Sequence, residues 1–305
     1  MNNNFQKVKH AVIPAAGRGT RFLPATKVLP KEMLPIVDRP GIQYVIEEAS
    51  KCDISDVLLV TRYGKHSIED HFDTISDLED ALIAKDDKNT LSKIINTSSG
   101  VKVTSVRQGR PLGLGHAVLQ AQEHVKKNPF AVMLPDDLMH PEDPILKLMT
   151  RVHCVTGGSV VALLEVTPEQ ACAYGNADVQ LMDFSDDHLL DGRVFAISDL
   201  IEKPSFNEIR SKYAVVGRYI LDPAIFDVLK TLQPGRGGEI QLTDALSVMA
   251  SKPKDEGGGL YGVVIKGRRF DTGTPFGYLQ TIVSLAIENE DFGDAFSEWL
   301  KDFVR

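Results

Sequence analysis

Short apolar runs alternate with longer stretches in which apolar residues return every three or four positions. Ala11-Val12-Ile13, Val57-Leu58-Leu59-Val60 and the run 130–134 read as buried strands. Between the first two, Ile42, Val45, Ile46 and Ala49 fall at helical spacing and predict a helix over 42–51. A helix is expected to begin within 64–72. Residues 75–98 are heavily charged but keep Leu78, Leu82, Ile83, Leu91, Ile94 and Ile95, which predicts an inserted helical hairpin. A strand over 101–106 and a helix from about Gly115 to Lys126 follow. This alternation predicts an α/β fold with a mixed, mostly parallel central sheet.

The second half is less regular. Strands are expected over 159–166 and 213–221, with 179–190 and 194–201 pairing as a hairpin. Asp222-Pro223 reads as a cap and first-turn proline. A helix is predicted over 241–251, then a turn at Gly257-Gly258-Gly259 and a strand over 260–266. Two helices close the chain, and their apolar face with Trp299 and Phe303 is expected to pack on the body rather than on another subunit. No repeat, low-complexity tract or clean boundary interrupts the pattern. One sheet with a substrate-side lobe is therefore expected.

Composition narrows the class. A chain of 305 residues, 43% hydrophobic and 25% charged, buries a large core. The net charge of −8 argues against nucleic acid as a partner and means that an anionic substrate must be held by local cations. No window approaches the roughly 20 apolar residues of a membrane span. No apolar leader is read in residues 1–10, and Cys52, Cys154 and Cys172 fit neither a disulfide framework nor a metal motif. The expectation is a cytoplasmic protein with reduced thiols.

The chemistry concentrates in residues 11–40, AVIPAAGRGTRFLPATKVLPKEMLPIVDRP. The first strand opens into Ala15, Ala16, Gly17 and Gly19, whose small side chains let a ligand approach the backbone. Loop amides can hold a nucleotide there, with Arg21 and Lys31 as fixed positive charges for phosphates. Thr-Arg after Gly19 excludes a phosphate-loop NTPase, and Phe22 stands where a dinucleotide-binding loop needs a third small residue. Asp136, in Leu134-Pro135-Asp136-Asp137, follows an apolar strand, where open α/β sheets bind ligands, and suits Mg²⁺. A second carboxylate past a strand is Asp271, in Arg269-Phe270-Asp271-Thr272-Gly273. Gln108 can pair with the edge of a uracil, and Gly113 and Gly115 open a helix beside it.

Taken together, Gly-x-Gly-Thr-Arg, Pro-Lys-Glu-Met-Leu-Pro, Ile201-Glu202-Lys203-Pro204 and the run 238–245 resemble the sugar-nucleotide pyrophosphorylase family. The resemblance implies a Rossmann-like three-layer nucleotidyltransferase fold in one domain over 1–305. Its nucleotide part would span about 8–150, its sugar-binding and metal-completing part about 151–275, and its C-terminal helices about 275–305. It implies Mg²⁺ shared by Asp136 and Asp271, with Asp137 the weaker candidate. Base recognition falls to Gln108 and Gly113, sugar hydroxyls to Glu202, and the sugar phosphate to Lys203. Gly217 would admit the sugar closely and Glu239 would lie on the sugar side. Thr243 and Asp244 would cap a helix. The implied substrates are UTP and glucose 1-phosphate and the products UDP-glucose and diphosphate, in a homodimer or homotetramer. A thymidylyl or other hexose-1-phosphate transferase, and a non-catalytic regulatory paralogue, stay open as alternatives. Asn176 departs from the family pattern near the presumed sugar side, and Arg18 and Phe22 depart in the loop.

Overall fold

The computed structural model describes residues 7–140, 143 and 145–304, and all structural statements below concern these. Residues 1–6, read as lacking an apolar leader, lie outside them.

The first half is β1 (His10–Pro14), the stubs β2 (Pro35–Ile36) and β3 (Arg39–Pro40), α1 (Gly41–Lys51), β4 (Asp56–Thr61) and α2 (His66–Asp70). The hairpin α3 (Ser76–Ala84) and α4 (Lys88–Ile95), β5 (Lys102–Arg107), α5 (Leu114–Leu119), α6 (Gln122–Val125) and β6 (Phe130–Met133) follow. The helix expected up to Lys126 is thus broken in two, and Lys126 itself takes φ +59°. The second half runs β7 (Asp137–Met139), α7 (Ile145–Thr156), β8 (Ser159–Glu165), α8 (Pro168–Ala171), β9 (Gly175–Leu181), β10 (Val194–Glu202) and β11 (Tyr213–Leu221). It closes with α9 (Ile225–Thr231), α10 (Leu242–Ser251), β12 (Leu260–Val264), β13 (Arg269–Asp271), α11 (Pro275–Ile287) and α12 (Gly293–Phe303).

Nine strands form one sheet in the order β5-β4-β1-β6-β11-β8-β12-β10-β9. Only β5–β4, β4–β1, β1–β6 and β12–β8 run parallel; β6–β11, β11–β8, β12–β10 and β10–β9 are antiparallel. β11 also pairs with β9 antiparallel, so the sheet is mixed, not mostly parallel. The apolar runs of the first half are buried on both faces, as parallel strands between helices must be. The hairpin β9–β10 brings in the antiparallel half, as its sequence pairing predicted.

Alternation along the strands sends side chains to two cores. Ala11, Ile13, Val57 and Leu59 meet α1 and α7 on one face, while Val12, Leu58, Val60 and Val132 meet α5, α9 and α10 on the other. The C-terminal pair departs from expectation, because Trp299 is 54% and Phe303 72% exposed and the two rings stack on each other. None of the described helices is long and apolar enough to cross a membrane.

Candidate active site

Parallel strands of the run β5-β4-β1-β6 end on one side of the sheet. β1 feeds the loop 15–19, β5 feeds Gln108, and β6 feeds Leu134-Pro135-Asp136, so the groups singled out in sequence converge past their carboxyl ends. Ala15 and Ala16 are buried, and the Ala15 amide donates to Val60 O, which docks the loop on β4. Gly19 holds φ +65°, and a Cβ there would stand 3.3 Å from Lys31 Cβ and Thr26 Cβ. The glycine therefore lets the loop fold back over the turn that carries Lys31.

That fold-back delivers charge to a point. Lys31 Nζ donates to Asp136 Oδ2 at 2.5 Å, and Arg21 Nη1 donates to Gly273 O at 3.2 Å. The Asp136 carbonyl accepts from the Thr272 amide at 2.9 Å and from its hydroxyl at 3.1 Å, which ties the two acidic loops together. A Cβ on Gly273 would lie 3.0 Å from Asp271 Oδ1, 3.2 Å from Asp136 Oδ2 and 3.5 Å from Arg21 Nη1. Asp136, Asp271 and Arg21 thus ring one small volume. Burial pushes the Asp136 carboxyl up, but the Lys31 ammonium, with Arg21 behind it, overrides that and holds the group below the usual carboxylate range.

A cavity of about 270 Å³ opens beside this cluster, lined among others by Gly17, Gln108, Gly113, Asp136 and Glu239. Gln108 is buried, and its Nε2 reaches Gly113 O at 3.1 Å and His116 Nδ1 at 3.0 Å. Both amide hydrogens are spent inside the protein, which aims the remaining oxygen. Burial lowers the His116 pKa, so the ring is neutral at neutral pH and can accept that bond. Gly113 takes φ +114°, and a Cβ there would meet Ile240 O at 2.6 Å. Glu239, expected on the sugar side, lies against Gly113 and lines the same cavity as Gln108.

Glu202 ends β10 and Lys203 follows it. Glu202 Oε2 accepts from Thr243 Oγ1 at 2.7 Å, and Lys203 Nζ stands 3.6 Å from Glu202 Oε1 with its side chain 55% exposed. Lys203 takes φ +45°, and its amide donates to Tyr174 O. The Arg269 guanidinium lies over the Tyr174 ring, so the Lys203 turn rests on β13, which ends at Asp271. Thr243 therefore orients Glu202 instead of capping, since α10 begins at Leu242 after Gln241.

Three expectations change. Asp137 is buried and faces away from the acidic pair; its Oδ2 accepts the Gly217 amide at 2.7 Å and its Oδ1 the Arg269 Nε at 2.5 Å. Gly217 is likewise buried, and a Cβ there would meet Asp137 Cβ at 2.7 Å. Its missing side chain makes room for that carboxylate, not for a sugar. Asn176 is also fully buried: its Nδ2 donates to Ser211 O and Tyr213 O and its Oδ1 accepts from the Arg210 and Ser211 amides. It pins the 210–213 segment and has nothing left for a ligand.

The sequence reading missed the buried supports. Lys65 Nζ donates to Ala15 O and to Glu32 Oε2, and Arg218 Nη2 donates to Glu48 Oε2 at 2.6 Å. Each partner lies 33 or more residues away in sequence, so no local pattern announces it.

The strand-end loop, the acidic pair and the cations around them bring together small residues, carboxylates and fixed positive charge at the carboxyl ends of the strands. The nucleotidyl transferase family model matches residues 10–286, and the chain belongs to that family. It is 42% identical over 300 residues to the UTP–glucose-1-phosphate uridylyltransferase YngB of Bacillus subtilis strain 168, spanning 98% of this chain and 97% of that one. Among solved structures it resembles a UTP-bound UGPase from Acinetobacter baumannii, with TM-score 0.85 and 35% identity over 96% of this chain and 98% of the other. A UDP-glucose pyrophosphorylase complexed with UDP-glucose matches at TM-score 0.81 and 37% identity, over 92% and 100%.

Proposed function

We propose that the protein catalyses UTP + α-D-glucose 1-phosphate ⇌ UDP-glucose + diphosphate. The observation that carries the reading is the convergence of Arg21, Asp136 and Asp271 on one point, with Lys31 bound to Asp136, beside the Gln108 cavity. It occurs in a chain 42% identical to a uridylyltransferase over nearly its full length.

A non-bridging oxygen of the sugar phosphate attacks the α-phosphorus of UTP in line. The bond from that phosphorus to the bridging oxygen breaks, and diphosphate leaves with the electron pair. The nucleophile is already anionic, so no general base is required and the protein's task is positioning and charge neutralisation. The amides of 15–19 and the Arg21 and Lys31 cations hold the triphosphate and stabilise the departing diphosphate. The Gln108 oxygen accepts the imide N–H of uracil. Glu202, oriented by Thr243, binds sugar hydroxyls, and the exposed Lys203 ammonium steers the sugar phosphate.

Asp136 Oδ2 and Asp271 Oδ1 approach one point beside Gly273, and two carboxylates so placed suit a hard cation that keeps water and phosphate oxygens. Asp136 and Asp271 would hold Mg²⁺, which when bound neutralises phosphate charge and reduces repulsion between the two anions. The same reading takes the chain as one cytoplasmic domain with a Rossmann-like three-layer arrangement. Its nucleotide part is 8–150, its sugar and metal part 151–275, and its C-terminal helices 275–305. The exposed face of α11 and α12, with Phe276, Trp299 and Phe303, suits assembly as a homodimer or homotetramer.

Uracil and thymine share the imide N–H, so a substrate panel is the informative test. Diphosphate release is measured with UTP or dTTP against glucose 1-phosphate or galactose 1-phosphate. Fast Mg²⁺-dependent release with UTP and glucose 1-phosphate supports the assignment. Preferred release with another pair would replace the substrate, and no release from a folded protein that binds UTP would favour a regulatory role.

A further inference from the structure

At the other end of β1 lies a second cluster of ligating groups. His10 and Asp56 open β1 and β4 and are direct partners in the parallel register. Both belong to the strand face that continues through Val12 and Leu58 into the core under α5, α9 and α10, and His124 comes down on them from α6. His124 Nε2 stands 3.0 Å from Asp56 Oδ1, and His10 Nδ1 stands 3.6 Å from Asp56 Oδ2. One ligand atom from each of the three lies within 4.8 Å of the others. His10 Nδ1 is shielded from solvent and stands too far from Asp56 Oδ2 for a hydrogen bond, so a buried ring nitrogen faces the carboxylate without a hydrogen-bond partner. The strand from His10 to Pro14 spans four residue steps, about 13 Å, so this cluster is separate from the Asp136–Asp271 pair.

We infer that His10, Asp56 and His124 form a binding site for a borderline divalent ion of the Zn²⁺ class, distinct from the catalytic Mg²⁺. Two imidazoles and one carboxylate are the donor set such ions select, whereas Mg²⁺ prefers oxygen alone. Tetrahedral Zn²⁺ with bonds near 2.0–2.1 Å holds its ligand atoms about 3.3 Å apart, so binding would draw the three ligand atoms together by about an ångström. Water completes the fourth position. Burial lowers the His10 pKa, with Asp56 opposing, which leaves the ring neutral and ready to ligate at neutral pH. The parallel register fixes two of the three ligands, so the site is preorganised by the sheet.

The test is calorimetric titration of the full-length protein with Zn²⁺ in the presence of excess Mg²⁺, and separately the ligand-field absorption of Co²⁺. One equivalent of Zn²⁺ and a tetrahedral Co²⁺ spectrum are expected. His124→Ala and His10→Ala should each weaken binding by more than the roughly 10–100-fold that loss of an outer-sphere partner costs. Asp136→Asn should leave this binding intact. Circular dichroism confirms folding, and His124→Asn serves if the alanine variant unfolds. Absence of stoichiometric Zn²⁺ binding overturns the inference, as does binding unchanged in folded His10 and His124 variants or abolished by Asp136→Asn.

Discussion

Replacing Lys65 with methionine tests the buried support under the nucleotide loop. The Lys65 and Glu32 side chains are only 8% and 1% exposed, and Lys65 Nζ donates to Glu32 Oε2 at 2.7 Å and to Ala15 O at 2.5 Å. Glu32 Oε1 is already buried without a partner, so nothing else compensates that carboxylate once the ammonium is gone. Breaking one side of a buried pair costs about 3–5 kcal/mol, because the remaining charge is stranded in a poor solvent. Unfolding entropy of roughly 2.1 cal/mol/K per residue makes 1 kcal/mol worth about 1.5 °C for a chain of this length, so Tm should fall by about 5–8 °C. Lys65→Met/Glu32→Gln leaves no stranded charge and should recover a good part of the loss. Because Lys65 also holds the Ala15 carbonyl, both variants should show a raised KM for UTP. Calorimetry and initial rates read the two effects separately. A single variant within about 1 °C of wild type, or a double variant no more stable than the single one, would refute the reasoning.

Three further outcomes are expected. Arg21→Ala and Lys203→Ala should each lower turnover by about 10²–10³-fold with the fold retained, since each removes a cation proposed to hold phosphate; near-normal rates would remove that residue from the mechanism. Asn176→Ala deletes a fully buried amide with bonds to Ser211 and Tyr213, and should cost about 2–3 kcal/mol in denaturant unfolding while leaving the preference for glucose 1-phosphate unchanged; a switch in sugar preference would contradict its structural role. Burial depresses the pKa of His10, His71 and His116 below the unfolded value, so protons bind the unfolded chain more tightly. Their joint contribution is present above about pH 6.5 and is lost as pH falls below it. Tm measured from pH 7.5 to 5.5 should therefore decline, less so in His71→Phe, and a flat profile would contradict the sign.

What was legible in the sequence was what depends on neighbours in the chain. β1, β4 and β6 show as apolar runs because strands covered on both faces have no polar side to display. The loop 15–19 and the carboxylates at Asp136 and Asp271 were visible because each stands at or just past the end of a strand. What depends on distant residues was not. The β9–β10 hairpin was legible, but the antiparallel insertion of β11 between β6 and β8 depends on strands far apart in the chain, which no window of residues encodes. Asp137 shares its acidity with Asp136, yet Arg269 and the Gly217 amide turn it inward. Gly217 reads as a ligand contact in isolation and is a spacer for that carboxylate in three dimensions. The amphipathic pattern of α12 predicted burial, but a helix pattern states only that one face is apolar, and Phe303 remains exposed within this chain.

The most direct measurement of the central claim is the rate of UDP-glucose formation from UTP and glucose 1-phosphate across a Mg²⁺ titration, in wild type, Asp136→Asn and Asp271→Asn. Mg²⁺-dependent synthesis by wild type is predicted. Each variant, still folded, should lose at least about 10²-fold in rate and need more Mg²⁺ for half-maximal activity. Equal rates and equal Mg²⁺ requirement in all three proteins would contradict the site described here.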